Sequence, residues 1–213
     1  MKIWIAQINT VAGNVEKNVK KIEDVIENFW EKADVLVFPE LAMTGNLLYD
    51  MNNNEAFVNK QMLLLESIKE TVNKIKKELI VVVWFIDMQW NGEKEFSNSA
   101  AIIGNDIKIY HKRQLENKWV KNEPRYFVPW EDDVLFKFGG EYTWLVTIWK
   151  DLEDEQVLQK DADVVFNLTS RCFEWGSRSE ELKKLVFSEI KSYLTLKSFS
   201  EPFPVPFITS ESV

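Results

Sequence analysis

Two charged residues stand where apolar runs stop, and a third stands at the head of a loop bracketed by two prolines. Glu40 follows Pro39 at the end of "DVLVFPE", Lys112 closes "DIKIYHK", and Glu123 lies in "KNEPRYFVPW", where Pro124 and Pro129 bracket a rigid loop. The carboxyl ends of strands form the rim where open α/β sheets place their ligand crevice. A carboxylate there acts as a general base when partial burial raises its pKa. Two acids and a lysine brought together would form an acid-base group with a cation able to stabilise an oxyanion. The plainer reading of Glu40 is a side chain that caps a turn or pairs with a lysine, and spacing leaves open whether the three residues meet. His111, the sole histidine, precedes Lys112 on a strand and so points to the other face. That gives it a core or surface role in preference to a catalytic one.

Another strand end raises a different question. "TWLVTIWKDLE" runs apolar to Trp149 and then turns to Lys150 and Asp151. Acyl transfer at such an elbow requires a small, polarisable group that becomes an anion and then bonds to carbon. An indole does neither, since its nitrogen is only a donor and its bulk fills space. The one cysteine, Cys172, sits in "NLTSRCFEWGSR" after the next apolar run. Arg171 beside it would lower its pKa, whereas a solitary cysteine otherwise serves as a passive small side chain.

The elements that must hold these residues alternate between helix and strand. "KIWIAQI" and "DVLVFPE" read as strands covered on both faces. Between them Val19, Ile22, Ile26, Phe29 and Trp30 form one stripe of a helix over about residues 16–32, completing a β-α-β unit. A second amphipathic helix over about residues 55–78 presents Phe57, Met62, Leu65, Ile68, Val72 and Ile75, and leads into the buried strand "LIVVVWFIDM". "SNSAAIIG" and "DIKIYHK" form a hairpin around Gly104-Asn105-Asp106, and "VLFKF" and "TWLVTIW" form another around Gly139-Gly140. After the strand "DVVFNLTS" a helix is expected over about residues 179–196. The tail alternates Pro202, Pro204 and Pro206 with Phe203, Val205 and Phe207, which forbids a central strand and suits an edge strand or an extended arm. This order calls for an α/β fold whose sheet faces are covered by helices.

Composition fits that reading. The chain of 213 residues is 46% hydrophobic, 13% aromatic and 28% charged. These values place it with globular domains, and the length predicts one of them. With 34 acidic against 26 basic residues the net charge is -8, so nucleic acid is an unfavourable partner. The basic clusters "KNVKKIED" and "NKIKKELI" are interleaved with acids and apolar positions as solvated helix faces. One cysteine permits neither an intrachain disulfide nor a cysteine-rich metal site, and no metal or cofactor is expected. No segment has the ~18 apolar residues of a membrane span, and the N-terminal run is too short for a signal core. The expected location is the cytoplasm, with no membrane partner.

"FPELAMTG", "SNSAAIIGNDIKIYHKRQL", "NEPRYFVP" and "WLVTIWKDL" resemble, in order, successive motifs of the nitrilase or carbon-nitrogen hydrolase superfamily, in particular the glutaminase domain of glutamine-dependent NAD synthetase. The resemblance runs from Met1 to about Leu196. It implies an α-β-β-α sandwich of nitrilase type and amide or nitrile hydrolysis through a cysteine thiolate. Carried over by motif, Glu40 matches the base, Lys112 the lysine that stabilises the tetrahedral intermediate, and Glu123 the supporting acid. The cysteine would fall at Trp149, so it is missing. Lys150 also departs from the acid of the NAD synthetase branch, while Asp151 keeps the pattern.

The resemblance further implies a C-terminally shortened fold: a nitrilase-like domain over residues 1–196 and an extended Pro/Phe-rich tail over residues 197–213. The function expected is a pseudoenzyme that acts by binding or by oligomerisation, with itself or with a nitrilase-like relative. Two alternatives stand beside it. One is an active amidase or glutaminase that uses Cys172 or a water activated by Glu40. The other is a sensor of a small amide or carboxylate.

Overall fold

The computed structural model describes residues 2–46, 48–75, 78–117, 122–130, 135–138, 142–148, 150–151, 154–158, 161–169 and 207–211. The expected helix over residues 179–196, Trp149, Cys172 and the Gly139-Gly140 turn lie outside them.

Among the described residues each of the two long helices starts at an asparagine. Asn14 accepts from the Lys17 N–H at 3.1 Å to open α1 (Val15–Phe29), and Asn54 accepts from the Phe57 N–H at 3.0 Å to open α2 (Glu55–Asn73). An Asx side chain at this place satisfies a helix N–H that has no partner within the helix. Val15, Val19, Ile22 and Ile26 of α1, with Val58, Leu65, Ile68 and Val72 of α2, are the buried apolar residues of the two helices. Both helices end a few residues short of the stretches their apolar spacing predicts.

Five strands form the first sheet in the order β1 (Ile3–Ile5), β2 (Val35–Val37), β3 (Ile80–Trp90), β4 (Lys94–Ile103), β5 (Ile107–His111). β1, β2 and β3 are parallel; β3, β4 and β5 are antiparallel, and the Gly104-Asn105-Asp106 turn joins the last two. Along β3 the alternation of a strand divides the residues between two cores. Val81, Val83 and Phe85 pack with α1 and α2, while Val82, Trp84 and Ile86 face the second sheet.

The second sheet has the order β6 (Leu135–Phe138), β7 (Tyr142–Ile148), β8 (Val164–Thr169), β9 (Phe207–Glu211). β6 runs antiparallel to β7, and β7, β8 and β9 are parallel. Trp144, Val146, Ile148, Phe166 and Leu168 point into the layer between the sheets. Leu145 and Val165 point outward and pack on Val157 of the short helix α3 (Glu155–Leu158). In the described chain β9, from the proline-rich tail, is an edge strand.

One expectation is corrected. β1 is not covered on both faces: it is the edge of its sheet, only three residues long, and leaves Trp4 38% and Ile5 44% exposed. A short apolar run reads alike at a sheet edge and in a sheet centre, because the covering element is supplied by tertiary packing.

Candidate active site

Glu40 is placed by a turn that begins as soon as β2 stops. The Phe38 N–H still bonds to Val82 O at 2.8 Å. Pro39 then offers no donor, and the chain folds on itself, with Gly45 N–H on Leu41 O at 2.8 Å. Leu41, next to Glu40, adopts φ 66°. That left-handed conformation is uncommon for a branched side chain. Asn18 of α1 holds the turn from outside by donating to Met43 O at 3.1 Å. Gly45 closes it at φ +74°, so near the Ala12 backbone that a Cβ would stand 2.7 Å from Ala12 Cα.

Lys112 leaves the end of β5 with its N–H on Asn98 O at 2.8 Å. By alternation from Tyr110 its side chain enters the layer between the sheets, where 1% of the residue is exposed. Glu123 opens a 3-10 turn (Glu123–Arg125) with Pro124 at its start. Its N–H donates to Glu116 O at 2.9 Å, and its Oε2 accepts from the Glu116 N–H at 2.6 Å.

The three side chains meet. Lys112 Nζ lies 3.2 Å from Glu40 Oε1 and 2.9 Å from Glu123 Oε1. Asn98 Nδ2 donates to the same two oxygens, at 3.1 and 3.0 Å. All four residues are buried, and a cleft lined by Leu41, Tyr49, Asn122, Tyr126 and Phe127 reaches Glu40, Asn98 and Glu123. Burial alone would lower the Lys112 pKa, but Glu40, Glu123 and Asp151 more than reverse this, so the ammonium is held charged well above its ordinary range. Burial pushes the Glu123 carboxyl up, Lys112 pulls it down and Glu40 pushes it up again, with a net rise.

Asp151 ties the end of β5 to the end of β7. Its Oδ1 accepts from the N–H groups of Arg113 and Gln114 at 3.0 and 2.7 Å. Its Oδ2 accepts from Tyr110 Oη at 2.7 Å and from the Ile148 N–H at 3.1 Å. Burial outweighs these four donors and the Lys112 charge, and pushes the Asp151 carboxyl up to about 6. This backbone clamp brings Ile148, the residue that precedes Trp149 in the sequence, to the end of β5 from which Lys112 departs.

A family model for carbon-nitrogen hydrolases matches residues 2–182. The chain belongs to the carbon-nitrogen hydrolase family. Glutamine-dependent NAD(+) synthetase of Acinetobacter baylyi is 26% identical to it over 190 residues, 86% of this chain and 34% of that relative. The enzyme of Thermotoga maritima is 26% identical over 207 residues, 93% of this chain and 33% of the relative. The chain thus spans about a third of the length of the curated relatives it matches. Among solved structures, glutamine-dependent NAD+ synthetase from Acinetobacter baumannii superposes with a TM-score of 0.74 at 25% identity, covering 91% of this chain and 36% of that one. An amidase from Nesterenkonia sp. reaches 0.76 at 14% identity, covering all (100%) of this chain and 76% of its own, a likeness of fold.

In this carbon-nitrogen hydrolase fold the sequence-derived residues Glu40, Lys112 and Glu123 form one contact group. His111 is on the opposite face, as alternation requires, buried with its Nε2 2.8 Å from Asp87 Oδ2. Spacing and motif order do not single out Asn98. The signal that could find it is a polar residue in an apolar strand: at the same parity as Ala100 and Ile102, it faces a core and requires partners. Among the described residues no cluster of His, Cys, Asp and Glu side chains could hold a metal ion, and no helix is long and apolar enough to cross a membrane.

Proposed function

We propose that this carbon-nitrogen hydrolase domain binds a small carboxamide and does not hydrolyse it. The observation that carries the reading is the buried Glu40–Lys112–Glu123 group, joined at the Lys112 ammonium, in a chain whose motif order assigns the nucleophile's place to Trp149. Acid-base and cationic groups are kept, and the atom that would attack is absent from that place. Loss of a nucleophile removes several orders of magnitude of rate and leaves only the residual effect of binding and electrostatics.

The lining of the cleft favours a neutral ligand. Two carboxylates reach it, while the described residues around it include asparagines, tyrosines and a phenylalanine and neither a lysine nor an arginine. Lys112 has its charge committed to Glu40 and Glu123, so a ligand carboxylate would meet like charge. Amides suit the alternation of donor and acceptor groups. Small neutral amides, such as the acrylamide bound to a mutant of the Nesterenkonia amidase, are the first candidates; glutamine, suggested by the NAD synthetase relatives, is the second and fits only with its α-carboxylate held clear of the two glutamates.

The test is a titration of isotope-labelled protein with acetamide and with glutamine, following the side-chain amide signals of Asn98 and Asn122. Saturable shifts that weaken at least ~10-fold in Glu40→Ala, the loss of one hydrogen bond to a charged group, support the reading. Absence of any shift with both probes removes it. Fast alkylation of Cys172 by iodoacetamide, blocked by either amide, would favour the hydrolase reading instead.

A further inference from the structure

Asn98 is the neutral member of the buried group, and its orientation is forced. Its Oδ1 accepts a hydrogen bond from Trp84 Nε1, and its Nδ2 donates to Glu40 Oε1 and Glu123 Oε1 at 3.1 and 3.0 Å. An indole N–H can only donate, and a carboxylate can only accept. Turning the amide over would set its NH2 group against the indole donor and its oxygen against two carboxylate oxygens. Three bonds would become three repulsions at once, so the amide has one allowed state.

The placement follows from the sheet. β3 and β4 pair antiparallel with Trp84 opposite Ala100 and Ile86 opposite Asn98, which makes Trp84 and Asn98 diagonal neighbours on the face towards the second sheet. Ala100, small and directly across from Trp84, leaves room for the indole to reach along β4. Trp84 and Asn98 are 0% and 1% exposed, so the bond between them is shielded from bulk solvent even though Asn98 borders the cleft.

The two carboxylates arrive on separate segments, one from the turn after β2 and the other from the 3-10 turn at Glu123. Each Oε1 is held twice, by the Lys112 ammonium and by the Asn98 amide, in a square of alternating donors and acceptors. One ammonium facing two carboxylates leaves a charge uncompensated, and the second donor relieves it without adding charge.

We propose that Trp84 and Asn98 are a positioning pair: the indole locks the amide, and the locked amide holds Glu40 and Glu123 together on Lys112. The pair touches the cleft only through Asn98, and Trp84 acts wholly through it. The inference deepens the ligand-site reading above and rests on it for its functional meaning. Its test is made on ligand-free protein, so the two readings stand or fall separately.

The experiment is a pH titration of the glutamate side-chain carboxyl carbons by NMR in the full chain, with Glu40→Gln and Glu123→Gln to assign the signals. Asn98→Leu removes a donor from the charged form of Glu123 and raises its midpoint by roughly one pH unit. Trp84→Phe frees the amide and raises the midpoint by about half as much. Added to Asn98→Leu, Trp84→Phe has no further effect, because its route is gone. A Glu123 midpoint that Asn98→Leu leaves in place in folded protein overturns the proposal. So does a Trp84→Phe shift of equal size in both backgrounds. Should Asn98→Leu not fold, Trp84→Phe alone decides, and an unmoved Glu123 midpoint overturns it.

Discussion

Glu40 and Glu123 share one amine: their Oε1 atoms lie 3.2 and 2.9 Å from Lys112 Nζ, in a space where the lysine is 1% exposed. Two buried acids on one cation form an arrangement in which removal of the cation costs much more than the pair contributes. A buried ion pair is close to neutral against an apolar replacement of all its members, but a partner left alone retains its full desolvation penalty.

Lys112→Met is therefore expected to lower stability at pH 7 by about 3 to 5 kcal/mol. The loss shrinks at pH 5, because Glu123, already pushed above its ordinary range, takes up a proton more readily once the ammonium is gone. Urea denaturation of wild type and variant at the two pH values measures both. An equal loss at both would show that the group is not electrostatically coupled.

Asp151 makes a second prediction, of opposite sign to the usual carboxylate. Its folded pKa of about 6 lies above the unfolded value of about 4. The native state then keeps a proton that the unfolded chain has released, so this contribution to stability is complete below about pH 4 and is lost as the pH rises through about 6. Asp151→Asn should remove a decline on the order of 2 kcal/mol across that window, while lowering stability throughout, since one amide oxygen replaces two acceptors that serve four donors. Denaturant midpoints between these pH values give the slope; a variant as steep as wild type would contradict it.

Gly45 provides a test of the turn that aims Glu40. Its φ of +74° and the 2.7 Å that would separate an added Cβ from the backbone at Ala12 leave no small adjustment open. Gly45→Ala should cost about 2 kcal/mol or more. Gly92, at φ +83° with open space around it, is the control that carries only the backbone part. Thermal unfolding of both alanine variants separates the two terms, and equal losses would mean that the Ala12 contact is unimportant.

Much of this is legible in the sequence, and the reasons differ by residue. Glu40 and Lys112 each end an apolar run, Glu123 stands directly before Pro124, and the motif resemblance adds their order; their meeting depends on strand pairing that spacing does not encode. The opposed directions of His111 and Lys112 follow from strand alternation alone. Asp87, the partner of His111, lies two strands away across β4, where Ser97 and Ser99 are small, and register is needed to find it. Trp84 reads as one more core residue, because nothing local distinguishes an indole that packs from one that also donates. The exposure of β1 escapes the sequence for a similar reason, since burial belongs to the neighbours and not to the strand.

The most direct test of the central claim is release of ammonia from glutamine and from acetamide by the purified chain, measured beside Glu40→Ala under the conditions in which binding is followed. Wild type and variant are expected to be indistinguishable from the protein-free background. Ammonia released in proportion to wild-type protein and abolished by Glu40→Ala would contradict it.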